Sequence, residues 1–377
     1  MIKVCFVVSS LVNEGPVNVM YNIIRYIDFS AFEVSVVTLI PERENSRMEE
    51  FRQFPISIHQ LTEKRHLNPV QMFRQLKKCI MAIKPDMLHA HCPRSLYLMC
   101  FLPKRFKRVY TIHIYPGLQQ EVLYGKLKGK LVVWLNHFFT HRTDLPVGCA
   151  ESISALYKQH KGWDIKSIPN GSSLPVWKSD DKQKKQLRAK LRFKDNVAYF
   201  IFIGRFSKEK NPDVLIKAFT QLNNPAIGLV MLGNGPMYED LQPYESENIL
   251  LPGFTTQVYD YLIASDYYIS ASEVEGLANT LLESMTVGLP VLLSDIPSHG
   301  EVLSKMSREV GYIINQNDVN DIIEKTKRIL RFVDKTEAAT EIKNVFKTYY
   351  TAEKMSGSYQ TAYIDLYRDC CLPGNIQ

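Results

Sequence analysis

The fold of this chain is decided by the stretch Ser272–Met285, which reads SEVEGLANTLLESM. An apolar run, residues 267–271, precedes it and is predicted to be a buried strand. Asn279 or Thr280 can then cap a helix that continues to about Val287. A helix N-terminus exposes free N–H groups and the positive end of its dipole, which suit a phosphate or a sugar hydroxyl. The stretch therefore predicts a strand–loop–helix unit with an anion-binding helix start.

Two carboxylates flank this helix start. Glu275 lies on a predicted tight loop, residues 275–278, and Glu283 lies on the helix about one turn further in. In these positions they can hold two parts of one polyhydroxylated phosphate ester. The alternative is that Glu275 is an ordinary charge before a helix and Glu283 a solvated helix residue, since acidic side chains are mostly exposed.

The length of the chain indicates two domains, because 377 residues exceed one ordinary hydrophobic core. We place the first domain at residues 1–172 and the second at 173–354, with a final helix, 355–377, packing back on the first. Residues 2–8 are apolar but lack a cleavage pattern, so they are predicted to be a core strand and not a signal peptide. No apolar run is long enough to predict a membrane-spanning helix.

The cysteines favour a reduced, cytoplasmic compartment. All seven are scattered along the chain without a Cys-x-x-Cys pair. An odd and irregular set does not fit a disulfide framework or a zinc site. The adjacent Cys370 and Cys371 are interpreted as an inert pair on a tail, with lipidation or redox chemistry as the alternative.

Positive charge is concentrated in the first half of the chain. Residues 1–175 hold 23 Lys and Arg against 13 Asp and Glu, whereas the remainder holds 23 against 26. The basic side chains cluster at three places: Lys104, Arg105, Lys107 and Arg108; Lys126, Lys128 and Lys130; Arg74, Lys77 and Lys78. Such an asymmetry favours an acidic partner, which can be anionic lipid, a pyrophosphate-linked acceptor or nucleic acid. A merely solubilising surface is equally compatible.

Strand and helix patterns alternate along both halves, which predicts an α/β fold with two doubly wound parallel sheets. The polar run from Ser172 to Arg188 is predicted to be a linker between them. Two such sheets that face each other form a cleft. Because ligands of parallel sheets bind at the carboxyl ends of the strands, functional residues are expected directly after strands.

Loops of the second half carry suitable residues at these places. Arg205 and Lys210 follow the predicted strand 198–204 and can neutralise a diphosphate without a metal. The turn Gly233-Asn234-Gly235-Pro236 follows the strand 227–233, and its glycines allow the backbone to approach a ligand closely. Taken singly, such cations are commonly surface charges and such turns occur in any fold.

Histidines end two predicted strands of the first half. His113 ends the strand 109–113, while His89 and His91 end the strand before it. These residue types allow a zinc site, but a histidine after a strand is more often structural, and zinc is not our prediction. The loop Asn13-Glu14-Gly15-Pro16 precedes a helix and can present N–H groups at its start.

Together these motifs resemble the signature of family 4 glycosyltransferases with the GT-B fold. The resemblance covers essentially the whole chain and is strongest from Gly204 to Asp295. The matching segments are the Glu-x7-Glu stretch 272–285, Gly-Leu-Pro-Val at 288–291, Gly-Arg-Phe-x-x-x-Lys at 204–210, Gly-Asn-Gly-Pro at 233–236 and Thr-Ile-His at 111–113.

The resemblance implies an acceptor-binding first domain and a nucleotide-sugar-binding second domain, and it implies roles for individual residues. Arg205 and Lys210 would hold the leaving diphosphate, and Glu275 the hydroxyls of the donor sugar. Glu283 would hold the ribose, and His113 would face the donor sugar. The further donor-binding positions are Gly233, Asn234, Gly235, Phe254, Gly276, Leu277, Ala278 and Asn279. The acceptor or cleft positions are Asn13, Glu14, Gly15 and His91.

The chain departs from the family pattern at two positions. Asn211 follows Lys210 where relatives often have glycine, and Val17 stands where many have a glutamate near the acceptor. The family resemblance therefore predicts donor binding better than it predicts the identity of the acceptor. The family needs no metal, and the chain has no Asp-x-Asp motif of the kind that metal-dependent transferases carry.

The predicted function is a retaining, metal-independent glycosyl transfer from a nucleotide-diphosphate sugar, with UDP as the expected nucleotide. The expected acceptor is a hydroxyl of a glycan or of a polyprenyl-diphosphate-linked glycan in bacterial O-antigen or capsule synthesis. We expect a cytoplasmic enzyme at the inner face of the membrane, held there by its basic first half, with no nucleic-acid partner. The alternatives are a sugar-nucleotide epimerase or a glycan phosphorylase of the same fold, and a non-catalytic protein that binds polyanions or sugar nucleotides.

Overall fold

The computed structural model describes residues 1–63, 68–174 and 181–371. The chain divides into two compact units. The first contains Met1–Ser172 together with the chain from Ala352 onward, and the second contains Ser173–Thr351. Residues 175–180 of the predicted linker and the side chains of Cys370 and Cys371 lie outside the described part. None of the five cysteines whose side chains are described forms a disulfide bond.

Each unit is built on one parallel sheet, with seven strands in the first unit and six in the second among the described residues. The strands are β1 (Ile2–Val8), β2 (Phe32–Thr38), β3 (Ser57–Gln60), β4 (Met87–Ala90), β5 (Lys107–Ile112), β6 (Leu145–Gly148), β7 (Lys166–Ser167), β8 (Ala198–Ile203), β9 (Ile227–Leu232), β10 (Ile249–Gly253), β11 (Tyr267–Ser270), β12 (Val291–Ser294) and β13 (Gly311–Ile314). The prediction of two doubly wound parallel sheets is confirmed.

Helices connect the strands. They are α1 (Gly15–Arg25), α2 (Met48–Phe51), α3 (Pro69–Ile83), α4 (Pro93–Cys100), α5 (Leu118–Tyr124), α6 (Lys126–Thr140), α7 (Glu151–Lys161), α8 (Asp181–Leu191), α9 (Pro212–Leu222), α10 (Tyr238–Leu241), α11 (Val258–Ala264), α12 (Asn279–Val287), α13 (Pro297–Ser304), α14 (Val319–Phe332), α15 (Lys335–Tyr349) and α16 (Ala352–Cys371). Short 3-10 turns lie at Lys208–Lys210 and Gln242–Tyr244. Within the described ranges, no helix is both long and apolar enough to cross a bilayer.

The strand order reverses once in each sheet. The order is β3-β2-β1-β4-β5-β6-β7 in the first unit and β10-β9-β8-β11-β12-β13 in the second. At such a reversal the connections on either side leave in opposite directions, which opens a crevice at the carboxyl ends of the two central strands. The reversals fall between β1 and β4 and between β8 and β11, so the loops after these strands are the places for function.

The final helix is part of the first unit. Met355, Tyr359 and Tyr363 of α16 are buried in the same hydrophobic core as β1 and α1. The Ser356 hydroxyl donates to the Ile23 carbonyl oxygen at 2.7 Å, which ties α16 to α1. The chain thus returns to the first unit after completing the second.

Two local predictions are wrong. The helix after β11 has Ala278 at its N-cap, so neither Asn279 nor Thr280 caps it; the Thr280 hydroxyl lies 3.0 Å from the Tyr268 hydroxyl instead. The first helix begins at Gly15 and not at Val17, because Pro16 is well suited to the first helical turn.

The predicted linker is also wrong over its second part, since residues 181–191 form α8. Arg188 of this helix is buried and donates to the Asp266 carboxylate at 2.5 Å and to the Ala264 carbonyl oxygen at 2.9 Å. Burial alone would raise the pKa of Asp266, but Lys184, Arg188 and the Tyr199 N–H together hold this pKa below its usual value. The many charges of this segment made it look like a solvated linker, but one of them, Arg188, is buried and anchors α8.

We predict that Asp266→Ala lowers the free energy of unfolding by ~3–5 kcal/mol, because it leaves the buried Arg188 charge without its partner. Urea denaturation followed by circular dichroism measures this change. Glu247→Ala, which removes an exposed partner of Lys194, is the control and should leave the midpoint unchanged. A loss for Asp266→Ala no larger than that of the control would contradict the anchoring role.

Candidate active site

The loops after β8 and β11 lie side by side in the second unit, because these strands are neighbours at the reversal of strand order. Two hydrogen bonds join the loops directly. The Glu273 N–H donates to the Glu209 carbonyl oxygen at 2.8 Å, and the Asn211 side-chain amide donates to the Glu273 carboxylate at 2.8 Å. The left-handed backbone of Asn211, φ 49°, turns the chain into α9. Asparagine tolerates this conformation well, so its replacement of the family's glycine is conservative here.

Lys210 and Glu275 form an ion pair between these two loops. Both side chains are largely shielded, with 21% of Lys210 and 12% of Glu275 exposed. The Ser272 hydroxyl also donates to the Glu275 carboxylate, at 2.9 Å. Burial would raise the pKa of Glu275, but the Lys210 charge and hydrogen bond outweigh it and lower the pKa below its usual value. Glu275 is therefore ionised at neutral pH and can accept hydrogen bonds from hydroxyl groups.

The start of α12 lies directly after this pair. Ala278 at the N-cap has no side chain with which to accept hydrogen bonds from the N–H groups of the first turn. Gly276 and Leu277 are buried in the loop before it, and Ala278 and Asn279 are half-buried. Glu283 is half-buried on the second turn of the helix. The structure thus places the two carboxylates of the Glu-x7-Glu motif on either side of a helix start, as the sequence predicts.

The glycines after β9 make room for a neighbouring loop of the protein. Gly233 has φ 141°, and a Cβ atom there would overlap the carbonyl oxygen of Gly204. A Cβ atom on Gly235 would overlap the backbone of Phe206. The Phe206 N–H donates to the Asn234 carbonyl oxygen at 3.0 Å across this contact. The glycines therefore allow the loops after β8 and β9 to approach each other, and the close approach is between two protein backbones.

Three predicted donor-binding side chains at the same end of this sheet are exposed. Arg205 follows β8, Asn234 follows β9 and Phe254 follows β10. Phe254 has 54% of its surface exposed, which is unusual for a phenylalanine directly after a strand. Asn234 uses its side-chain oxygen to accept from the Gly235 N–H at 2.6 Å. Arg205 and Phe254 offer a cation and an aromatic face at this edge.

Sequence reasoning missed a polar group behind Glu275. The Ser298 hydroxyl donates to the Glu275 carbonyl oxygen at 3.3 Å, and the neighbouring His299 is buried. His299 Nδ1 lies 3.0 Å from the Ser294 hydroxyl, and burial lowers the His299 pKa to about 4. The sequence did contain a signal for this group. Ser294 ends β12, the neighbour of β11 in the sheet, and Ser298 and His299 lie in the first turn of α13, which follows β12.

In the first unit, the predicted residues follow β1, β4 and β5, which are adjacent strands. His91 after β4 and His113 after β5 are in contact, with His91 Nδ1 3.2 Å from His113 Nε2. His91 is fully buried and His113 is half-buried. Burial lowers the His113 pKa to about 3, and burial together with the neighbouring histidines lowers that of His91 well below its usual value. Both rings are therefore neutral at physiological pH.

Hydrogen bonding decides which nitrogen of His113 carries the proton. His91 Nε2 is buried, and no described residue hydrogen-bonds to it. If His113 donated from Nε2, His91 would accept at Nδ1 and carry its own proton on Nε2. That buried N–H would be unpaired, at a cost of ~1–3 kcal/mol. If His91 donates from Nδ1, only a lone pair is left unpaired, which costs less. This balance favours the tautomer in which His113 accepts at Nε2 and carries its proton on Nδ1.

His89 has a structural role. Its Nδ1 lies 2.7 Å from the Tyr363 hydroxyl, and its Nε2 lies 2.8 Å from the Thr111 hydroxyl. Both ring nitrogens are thus used within the core, which connects β4 to α16. Within the described ranges, no three histidine, cysteine, aspartate or glutamate side chains are grouped so as to hold a metal ion.

Hydrogen bonds fix the first part of the loop after β1, and the tip of the loop is exposed to solvent. The Leu11 N–H donates to the Glu42 carboxylate at 2.8 Å, and the Asn13 N–H donates to the Asn45 carbonyl oxygen at 3.0 Å. Glu14 is the exposed N-cap of α1, and Gly15 is its exposed first residue. Val17, at the family's glutamate position, is buried in the core. No acceptor contact can come from Val17 in this arrangement.

Two protein-family models match the chain. The model described as "Glycosyl transferases group 1" matches residues 183–344, and the model described as "Glycosyltransferase Family 4" matches residues 14–174. The first match contains the linked loops after β8 and β11, and the second contains His91 and His113.

Two curated relatives are similar over much of the chain. An alpha-monoglucosyldiacylglycerol synthase of Streptococcus pneumoniae is 27% identical over 237 residues, 58% of this chain, and the match spans only 54% of that protein. A UDP-Gal:alpha-D-GlcNAc-diphosphoundecaprenol alpha-1,3-galactosyltransferase of Escherichia coli is 25% identical over 285 residues, 69% of each chain.

Among solved structures, the Anabaena protein Alr3699/HepE in complex with UDP-glucose superposes with a TM-score of 0.80. The match covers 97% of this chain and all of that one, at 17% sequence identity. At this identity the likeness establishes the fold, and it confirms the predicted GT-B architecture.

We predict that Gly235→Ala destabilises the protein by ~1–3 kcal/mol, because its Cβ atom would force the Phe206 backbone to move. Gly300→Ala is a matched control within α13, where a Cβ atom meets nothing within 4 Å. That control should stabilise the helix slightly, by ~0.5–1 kcal/mol. Thermal denaturation compares the two variants, and equal effects would show that Gly235 is not needed for loop packing.

We also predict that the His113 ring remains neutral, with its proton on Nδ1, when the pH falls from about 8 to about 5. Nitrogen-15 NMR of the imidazole rings, with His113→Gln for assignment, reports both the charge and the tautomer. Because the unfolded chain protonates its histidines near their usual pKa while the buried rings stay neutral, stability should fall as the pH drops below about 6.5. An imidazolium signal for His113 at about pH 6 is incompatible with this arrangement.

Proposed function

The chain belongs to the group 1, family 4 glycosyltransferases of the GT-B fold, and on this premise we propose that it moves a sugar from a nucleoside diphosphate sugar to an acceptor hydroxyl. The observation that carries the proposal is the Lys210–Glu275 pair at the reversal of strand order, directly before the start of α12. This arrangement brings a cation, a carboxylate and the N-terminal end of a helix together at one pair of linked loops.

The second unit supplies what a diphosphate leaving group needs. Lys210 and the exposed Arg205 are both on the loop after β8, and either can hold phosphate oxygens as charge develops on them. Glu275 accepts hydrogen bonds from the donor-sugar hydroxyls, and Glu283 accepts from the ribose. Preorganised charges of this kind stabilise the departing diphosphate in the way that a metal ion does in other transferases.

We propose that transfer retains the configuration of the sugar. The acceptor hydroxyl attacks the anomeric carbon on the face from which the diphosphate departs. The bond from this carbon to the phosphate oxygen breaks, the bond to the acceptor oxygen forms, and the departing phosphate oxygen takes the acceptor proton. Glu275 is engaged by Lys210 and Ser272, which suits a binding role better than that of a covalent nucleophile. His113, neutral and protonated on Nδ1, can donate to a hydroxyl of the donor sugar.

UDP is the nucleotide that the comparisons support. The Escherichia coli relative is described as using UDP-Gal, and the Anabaena neighbour was solved with UDP-glucose. In this chain the exposed Phe254 ring, directly after β10, provides an apolar face for the base. Asn234 and the turn around it complete this side of the proposed donor site.

The proposed acceptor is a hydroxyl of a lipid-linked glycan used for a bacterial surface polysaccharide. The Escherichia coli relative is described as acting on a diphosphoundecaprenol-linked sugar. The excess of positive charge in residues 1–175 fits a pyrophosphate-linked acceptor at a membrane surface. We therefore place the enzyme at the inner face of the cytoplasmic membrane, with the acceptor bound by the first unit through Asn13, Glu14, Gly15 and His91.

We predict that one uridine nucleotide binds tightly in the presence of EDTA and that Glu283→Ala weakens this binding at least about tenfold, which corresponds to the loss of one charged hydrogen bond. Calorimetry against a panel of nucleoside diphosphates and their sugars measures the binding. Glu324→Ala removes an exposed carboxylate of α14 in the same unit and should leave the affinity unchanged.

Slow hydrolysis of one sugar nucleotide by the wild-type protein would identify the donor, and NMR of the released sugar would report its anomeric configuration. An inverted configuration contradicts the retaining mechanism. Interconversion of the sugar without transfer identifies an epimerase. If no nucleotide binds, the non-catalytic polyanion-binding alternative replaces the proposal.

A further inference from the structure

Helix α6 of the first unit turns an apolar ridge toward solvent. The ridge consists of Leu127, Leu131, Trp134 and Phe138, of which 87%, 57%, 57% and 36% are exposed. At about 100° per residue these four side chains fall within an arc of about 60° on one face of the helix. Surface helices of globular proteins place such a stripe against the core. This stripe, which we call the α6 ridge, therefore needs another partner.

The opposite face of α6 is firmly packed. Asn136, Phe139 and Thr140 are buried, and Asn136 accepts a hydrogen bond from the Tyr97 hydroxyl of α4 at 2.5 Å. Gly129 lies so close to α5 that a Cβ atom there would overlap the Glu121 backbone. The ridge is thus presented by a helix whose orientation is fixed by its inner face.

Basic side chains border the α6 ridge. Lys126 and Lys130 lie on one side of it and Lys128 on the other, by the same helical spacing, and all three are exposed. The Arg142 guanidinium lies over the Phe138 ring, 4.2 Å from its centroid. An apolar stripe bordered by lysines is the arrangement of helices that lie in the interface of an anionic bilayer.

The aromatic members of the ridge fit the same environment. The Trp134 and Phe138 rings are stacked, with centroids 5.1 Å apart and planes 18° from parallel. Tryptophan combines a large apolar body with one N–H donor, and it is enriched at the level of lipid headgroups. Leu123 and Tyr124, at the end of α5 next to the start of α6, are more than half exposed and extend the apolar surface.

We propose that the α6 ridge docks the first unit on an anionic lipid bilayer, with α6 lying in the plane of the headgroups. The inference takes from the proposed function only the lipid-linked acceptor that such docking would serve. The ridge side chains enter the acyl boundary, and Lys126, Lys128 and Lys130 contact lipid phosphates.

Charge favours a bilayer over a second copy of this chain. In a symmetric dimer across the ridge, the lysines of one copy would face those of the other, which is repulsive. An anionic bilayer instead offers compensating charge to all of them at once.

Another of the three basic clusters in the sequence, at residues 104–108, is a poorer surface. Arg108 is buried and donates to the Leu102 carbonyl oxygen at 2.7 Å, and Lys107 pairs with Asp144 at 3.7 Å. Only Lys104 and Arg105 of its four cations are exposed. The sequence cluster is broken by β5, whose side chains alternate between the two faces of the sheet.

Flotation of the full chain with vesicles tests the proposal. The vesicles contain either phosphatidylcholine alone or phosphatidylcholine mixed with phosphatidylglycerol. We expect binding to the mixed vesicles, weaker binding at high salt, and little binding to phosphatidylcholine alone. A ridge variant, Leu127→Ser/Leu131→Ser/Trp134→Ser, and a charge variant, Lys126→Gln/Lys128→Gln/Lys130→Gln, should each lose at least about tenfold in affinity.

A matched charge control removes three exposed lysines of the second unit, Lys182→Gln/Lys185→Gln/Lys327→Gln, and should bind as the wild type does. Trp134→Phe should keep the affinity but lose the fluorescence quenching that brominated lipids cause in the wild type. This second readout does not depend on the folding of the triple variants.

Wild-type affinity of the ridge variant would overturn the proposal, as would equal losses in the charge control. A wild-type dimer that the ridge variant converts to a monomer in light scattering, without vesicle binding, would assign the ridge to a second copy. Nucleotide binding is measured on the same variants and should be unchanged. If neither the wild type nor any variant binds a nucleotide, while the wild type still binds the mixed vesicles and the ridge variant does not, the proposed function is refuted and the docking surface stands.

Discussion

The ion pair between Lys210 and Glu275 is the interaction on which the candidate site of the second unit depends. It joins two loops that belong to different strands and that meet only because β8 and β11 are neighbours. Removing either charge would leave the other shielded from water without a partner, which costs more than the pair itself contributes. On the proposed roles, a bound diphosphate and a bound sugar hydroxyl would compensate the two charges separately.

Sequence patterns predicted most of the sheet architecture because parallel strands buried on both faces appear as short apolar runs. Residues 2–8 form a strand, as predicted. The start of α12 was not predicted correctly, since capping preferences favour asparagine or threonine over alanine. The loop after β11 is fixed by Glu273 and Glu275, and these tertiary bonds, which no local preference encodes, decide where the helix begins.

Charged residues were the least predictable, because composition does not reveal which charges are buried. Arg188 lies in a run that looks like a solvated linker, yet it anchors α8 against Asp266. The cations from Lys104 to Arg108 form a cluster in the sequence but not on the surface, because Lys107 and Arg108 begin the strand β5. In α6 the spacing of Leu127, Leu131, Trp134 and Phe138 marks one apolar face, but periodicity cannot tell whether that face meets the core or the surroundings.

The two units use the carboxyl ends of their central strands for different electrostatic purposes. Beside the reversal between β8 and β11, the second unit keeps ionised groups, with the Glu275 pKa lowered by Lys210 although burial opposes it. Beside β4 and β5, the first unit keeps neutral histidines, with the His113 pKa lowered to about 3 by burial and with no carboxylate in the described surroundings to raise it. A charged site is suited to a diphosphate, whereas a neutral N–H donor can bind a hydroxyl without attracting or repelling the leaving group. On the proposed roles, this division places the strong electrostatics where the bond to phosphate breaks and leaves the first unit free to orient hydroxyl groups.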